Sequence, residues 1–97
     1  MTSNYDRGRR HEDRAVKELR KTGFLAQRIA GSHGVFDVVA INAEAVRLIQ
    51  VKAQGAATAN TRDELRSCVV PPGVSVELWE RRRGGWIVEV VNGGKEG

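Results

Sequence analysis

The sequence predicts an α/β or α+β domain in which helices flank a central, mixed five-stranded sheet, in the order α-β-β-β-α-β-β. Two observations carry that expectation. Residues 8 to 21 repeat apolar side chains at helical spacing, and the rest of the chain supplies short apolar runs punctuated by Gly, Pro and Asn. Ninety-seven residues leave room for one core, so 1–97 reads as a single domain whose polar ends, 1–6 and 92–97, are loose.

The elements follow in order. From Gly8 to Lys21, Glu12, Val16 and Leu19 recur at i, i+4 and i+7 with Ala15 beside them, which sets Glu12 on the apolar face. Thr22-Gly23 ends that helix, and Phe24 to Ile29 is a first strand. The glycines of Gly31-Ser32-His33-Gly34 mark a loop before a strand at Phe36 to Ile41, and Asn42 to Ala45 turns the chain into Val46 to Lys52. Gly55 to Asn60 reads as a mobile loop, and Thr61 to Val69 as a short helix capped at Asn60 or Thr61 and broken by Pro71-Pro72-Gly73. Alternation through Val74, Val76 and Leu78, then through Trp86, Val88 and Val90, predicts a hairpin closed by an Arg81 to Gly85 turn.

Sixteen Lys and Arg against twelve Asp and Glu give a net charge of +4, which favours an anionic partner, nucleic acid first. The one cysteine, Cys68, excludes an intramolecular disulfide and a Cys-based zinc site, and reads as a small buried residue. No apolar run approaches the roughly 18–20 residues of a membrane span. With no hydrophobic stretch behind the charged segment Met1 to Arg14, a soluble, cytoplasmic protein is expected.

Polar side chains interrupt two of the apolar runs. Asp37 lies inside the first, and Gln50-x-Lys52 closes the second thirteen residues later. Short buried strands carry such groups when the groups have a partner. Acidic and amide oxygens suit a hard cation such as Mg²⁺, which takes one or two carboxylates together with phosphate oxygens. Neighbouring strands lie about 4.8 Å apart, so pairing of the two runs brings Asp37 and Gln50 towards one ion. Gln50 and Lys52 share a face, which sets an ammonium beside the phosphate. Glu12 completes the shell from the helix, or else serves as an ion-pair partner among Arg9, Arg10 and Arg14.

The series Gly8-x-x-x-Glu12, Gly23-Phe24, Arg28, Gly31-Ser32, Asp37-Val38-Val39-Ala40 and Leu48-Ile49-Gln50-Val51-Lys52 resembles the archaeal-type Holliday junction resolvases. These belong to the restriction-endonuclease-like nucleases with an Asp…(Asp/Glu)-x-Lys motif. The likeness is close over residues 7 to 54 and elsewhere covers element order only. It implies a restriction-endonuclease-like core and a Mg²⁺-dependent endodeoxyribonuclease, with Mn²⁺ as substitute, acting in DNA recombination and repair as a homodimer that cuts two strands of a four-way junction. Carried over by position, it makes Glu12, Asp37, Gln50 and the Val51 backbone carbonyl metal ligands, Lys52 the catalytic lysine, Ser32 an active-site loop residue and Arg28 a DNA contact.

One departure stands out. The family has Glu where this chain has Gln50, so the shell loses a negative charge, although an amide carbonyl still ligates. Gln-x-Lys also resembles Mrr-type restriction enzymes and some transposon end-cleaving nucleases, which widens the range of DNA substrates. Arg7, Arg9 and Arg10 read as a basic arm preceding the catalytic helix and gripping DNA. Arg81-Arg82-Arg83 reads as a solvated turn, with contact to a phosphate backbone as its alternative, His33 as an exposed loop histidine, with metal ligation or proton donation as its alternative, and Trp79 and Trp86 as core or subunit-interface residues rather than base-stacking platforms. The rival to an enzyme is a catalytically silent nucleic-acid-binding module on the same scaffold; a protein interaction module comes third.

Overall fold

The structure, a computed structural model, describes residues 4–29 and 34–93, with side chains from Gly8 onward. Seven elements follow the expected order: α1 (Asn4–Lys21), β1 (Leu25–Arg28), β2 (Val38–Ile41), β3 (Val46–Lys52), α2 (Ala59–Arg66), β4 (Val74–Arg82) and β5 (Gly85–Gly93). The strands form one five-stranded sheet in chain order. Only β3 and β4 run parallel, joined over the sheet by α2, and every other neighbour is antiparallel.

Helix α1 starts four residues before the apolar repeat does, because its first turn is polar throughout. Asn4 to Asp6 are therefore helical rather than loose, and Arg7, Arg9 and Arg10 belong to the helix instead of an arm preceding it. Its end is a paired-carbonyl cap: the Gly23 N–H donates to Arg20 O at 3.2 Å and the Phe24 N–H to Leu19 O at 3.2 Å, with Gly23 at φ 94°. That left-handed residue turns the chain straight into β1. Asn42 governs the next reversal. Its side-chain oxygen accepts from the N–H groups of Glu44 and Ala45 at 2.9 and 2.8 Å, so β3 starts in fixed register with β2.

Thr58, not Asn60 or Thr61, caps α2. Thr58 is extended at φ −125°, ψ 170°, and its hydroxyl accepts from the Thr61 N–H at 3.1 Å, which puts Asn60 inside the first turn. The helix stops at Arg66, ahead of the expected Val69, where the Ser67 hydroxyl takes up Glu64 O at 2.7 Å. The β4–β5 turn also shrinks. Pairing runs to Arg82 opposite Gly85, leaving Arg83 and Gly84 at the tip with Gly84 at φ 76°. Asn92 and Gly93 likewise pair with β4 and are part of β5.

The two helices cover opposite faces. Under α1 lie Ala15, Val16, Leu19, Ala26, Val38, Ala40, Ile49, Val51 and Trp79, while Leu65 of α2 packs on Val76 and Leu78. Strand β4 is consequently buried on both sides, so its alternation separates two cores rather than core from water. Strand β5 departs from the expected burial of Trp86, Val88 and Val90: Val88 and Val90 lie beyond the reach of α1 and are 44% and 57% exposed, while Val91 packs on the α2 core. Trp86 stacks on Trp79 with ring centroids 5.4 Å apart, as the core role for both predicts.

A buried ion pair holds the far end of the α1 face. Arg47 grips Glu77 through two hydrogen bonds of 2.8 Å; the Ser75 hydroxyl and the Trp79 indole N–H donate to the same carboxylate at 2.6 and 2.9 Å. Phe24 and Trp79 lie against the guanidinium at 4.9 and 5.6 Å. Among the described residues, no helix is long and apolar enough to cross a membrane.

Candidate active site

Asp37 sits one residue before β2, at a gap where β1, β2 and β3 converge. Its backbone is held on both sides: its N–H donates to Ile49 O at 2.8 Å, and its carbonyl accepts from the Ile29 N–H at 2.9 Å. Oδ2 accepts a third bond, from the Val51 N–H at 2.9 Å. Register pairs Val38 with Ile49, which brings Asp37 opposite Gln50. The carboxyl is raised above its usual range, since burial outweighs the Val51 hydrogen bond and the nearby Lys52 charge.

Gln50 and Lys52 project on the opposite face from Ile49 and Val51, both half-buried. The Gln50 Oε1 atom is shielded from solvent and accepts no hydrogen bond among the described residues. A buried acceptor without a donor is costly unless something electropositive comes to it. Glu12 reaches the same neighbourhood from the sheet-facing side of α1. Its carboxyl is raised by burial and by the charge of Asp37, which together exceed the opposing effect of Arg28. Asp37 is thus the hub of the set, with Glu12 on one flank and Lys52 on the other.

Arg28 stands between two carboxylates. Its guanidinium lies 3.5 Å from Glu12 and 3.2 Å from Asp13, so it orients the Glu12 carboxylate. Arg9 and Arg10 are exposed on α1; the side chain of Arg7 lies outside the described side chains, and Ser32 and His33 lie outside the described residues. Cys68 is only partly buried beneath α2. Among the described residues no three His, Cys, Asp or Glu side chains cluster in metal-binding fashion. The expected shell has two carboxylates, an amide oxygen and a backbone carbonyl, which suits a hard, partly hydrated ion.

Two neighbours are read from the sequence without being joined to each other, Arg14 as an ion-pair partner of Glu12 and Arg81 as part of the hairpin turn. Arg14 and Arg81 both bear on His11, whose pKa is lowered first by burial and then by these two charges. The available signal was the strand-helix-strand order: a parallel crossover places the last residues of β4 beside the last residues of β3, so Glu80 pairs with Lys52 and the Arg81 to Arg83 segment stands at the catalytic end.

The family model for archaeal Holliday junction resolvases (Hjc) matches residues 3–66. The chain belongs to the archaeal Holliday junction resolvase family. The match extends on both sides of the residues that carry the resemblance in sequence, taking in all of α1 and all of α2. Among solved structures, the Holliday junction resolvase Hjc of Archaeoglobus fulgidus, an archaeal hyperthermophile, superposes with a TM-score of 0.67 at 28% identity, covering 88% of this chain and 73% of that one. No curated protein gives a significant match. As a member of the resolvase family, the chain is a junction-resolving nuclease with the restriction-endonuclease-like fold expected of it.

Proposed function

We propose that the resolvase hydrolyses DNA phosphodiester bonds at four-way junctions with Mg²⁺, or Mn²⁺ in its place, and does so as an intracellular homodimer that cuts two strands. The shielded Gln50 Oε1, without a hydrogen-bond partner among the described residues and opposite an Asp37 that shares its gap with the Glu12 charge, carries this reading, because it is an arrangement that an added cation relieves. Asp37, Glu12, the Gln50 amide oxygen and the Val51 carbonyl are the groups that hold the ion. When bound, the divalent ion supplies positive charge to the scissile phosphate and acidity to water.

The protein's own groups do the rest. The Val51 N–H fixes the Asp37 carboxylate through Oδ2. Arg28 holds Glu12 in orientation. The Lys52 ammonium donates to a phosphate oxygen and stabilises the charge that develops there as water attacks. No side chain in the set serves as nucleophile. By position in the family pattern Ser32 belongs to the same active site, and Arg9 and Arg10 contact the DNA backbone from α1.

A matched comparison tests this: cleavage of a four-way junction and of a linear duplex, each with Mg²⁺ and with chelator, by the wild type and by Asp37→Ala. Metal-dependent cutting of the junction alone, abolished by the substitution, is expected; equal cutting of both substrates points to an Mrr-like endonuclease instead. Gln50 favours one other reading, a DNA-binding module without catalysis, since the shell has one carboxylate fewer than its family. Junction binding unaffected by chelator, with no cleavage under either metal, would select it. Light scattering tests the dimer, and a monomeric mass on the bound junction overturns it.

A further inference from the structure

The β4–β5 hairpin ends beside the proposed cleavage site, and its charges are distributed unevenly. On the α2 side, Arg82 is neutralised by Glu80 at 3.3 Å. On the α1 side, Arg81 has no carboxylate partner among the described residues; neither does exposed Arg83 at the tip, nor exposed Arg14 on the facing helix. Arg14 and Arg81 converge on His11, one residue from Glu12, so the two elements meet at a concentration of positive charge. Glu18 lines the groove beside Gly84, Gly85 and Trp86 but makes no ion pair with these arginines among the described residues, so their charge is open to a polyanion.

Arg81 is also preset. Its guanidinium lies 5.1 Å from the Trp86 ring centroid, and one N–H is taken by Gly85 O at 3.2 Å. The remaining donors stay available, with little side-chain freedom left to lose. The reach suits a phosphate backbone. From Glu80, level with Lys52, the chain advances three residues to Arg83, about 10 Å at roughly 3.3 Å per residue. One DNA strand carries a phosphate for each ~3.4 Å of helix axis, so the tip spans about three phosphates.

Resting on the nuclease reading above, we infer that Arg81 and Arg83 of the hairpin, with Arg14 of α1, form a second phosphate-binding surface that holds the duplex arm flanking the scissile bond. This surface adjoins Arg10, one helical turn before Arg14 on α1, extends from there onto the hairpin, and reads no sequence. It sets where the arm enters and thereby presents the phosphate to Lys52.

The test is fluorescence anisotropy of a labelled four-way junction and a labelled linear duplex with full-length protein in EDTA, across a NaCl series. Wild type, Arg83→Gln, Arg81→Gln/Arg83→Gln and the distant control Arg66→Gln are compared, each checked by circular dichroism. The slope of log affinity against log salt is expected to fall by about 0.9 for the single variant and about 1.8 for the double variant, at about 0.9 per phosphate contact. The same loss is expected on both DNAs, with Arg66→Gln unchanged. Wild-type slopes in a folded Arg83→Gln and double variant overturn the inference while the nuclease reading stands, and a loss confined to the junction overturns the assignment to a duplex arm. Should the double variant fail to fold, the exposed Arg83→Gln decides alone. Wild type that binds neither DNA removes the nuclease reading and this inference together.

Discussion

The Val51 N–H donates to Oδ2 of Asp37 at 2.9 Å, so the carboxylate is tied to the strand that presents Gln50 and Lys52 on either side of Val51. One clamp serves three groups. It fixes the distance between the acid and the lysine without using the side chain of either Gln50 or Lys52. It also leaves burial uncompensated, and Glu12 adds a second negative charge to the same gap.

Removing that charge should therefore separate activity from stability. In Asp37→Asn the amide oxygen still accepts the Val51 N–H, but the like-charge contact with Glu12 is gone. Junction cleavage is expected to vanish, while the melting temperature in EDTA stays level or rises. Wild-type cleavage by this variant would dismiss Asp37 from the site.

Gln50→Glu should tighten divalent-ion binding. A further negative charge near the ion is worth up to about 4 kcal/mol at 4 Å in a partly screened setting, and even a third of that is on the order of tenfold in affinity. Isothermal titration with Mn²⁺ measures it. An unchanged affinity would mean that Gln50 is not a ligand. The same substitution crowds three carboxylates together, so the metal-free protein should melt lower than wild type.

Lys52→Met keeps the length of the stem and deletes the ammonium. Loss of one preorganised donor to developing charge lowers kcat by about 10²–10³-fold. Metal affinity is expected to hold or improve, since a neighbouring cation has been removed. Single-turnover cleavage at saturating protein reads the rate, and a rate within a few-fold of wild type would end the catalytic assignment.

Glu77 sets an acid limit on stability. Burial by itself raises its carboxyl, but the hydrogen bonds of Arg47, Ser75 and Trp79 and the charge of Arg47 outweigh that and hold it below the ordinary 4.5. As pH falls, the unfolded chain takes up the proton first. The contribution is thus present above about pH 4.5 and is lost as pH drops from there towards the folded-state value. Glu77→Leu leaves Arg47 uncompensated and should cost about 3–5 kcal/mol at pH 7, whereas Arg47→Met/Glu77→Leu should recover most of it. Urea unfolding at pH 7 and pH 4 checks both; a Glu77→Leu variant with the wild-type pH dependence would place the acid sensitivity elsewhere.

Element order, the mixed sheet and the clustering of Glu12, Asp37 and Lys52 were legible because each depends on local pattern: helical spacing on α1, apolar runs for β2 and β3, and an alternation that puts Gln50 and Lys52 on one face. What escaped depends on contacts between distant segments. Arg47 and Glu77 look like ordinary polar residues until parallel pairing aligns β3 with β4. The exposure of Val88 and Val90 is set by where α1 stops, which alternation does not encode. Thr58 won the cap from Asn60 and Thr61 because the chain is still extended there, a backbone property that residue type leaves open. Arg28, a DNA contact by position in the family, also pairs with Glu12 and with Asp13 one residue on, a contact between helix and strand that the sequence does not spell out.

The Asn42 turn acts as a length gauge for the enzyme. Its two side-chain hydrogen bonds fix how many residues separate Ile41 from Val46, and hence which residues of β3 look towards the site. Lengthening that reversal by one residue while β2 stays in place would swing Gln50 and Lys52 inward beneath α1 and turn Ile49 and Val51 outward. The catalytic motif would still be spelled correctly in the sequence and be absent from the surface. Counting residues in this reversal is therefore a better guide to whether a related chain is an active resolvase than finding the motif itself.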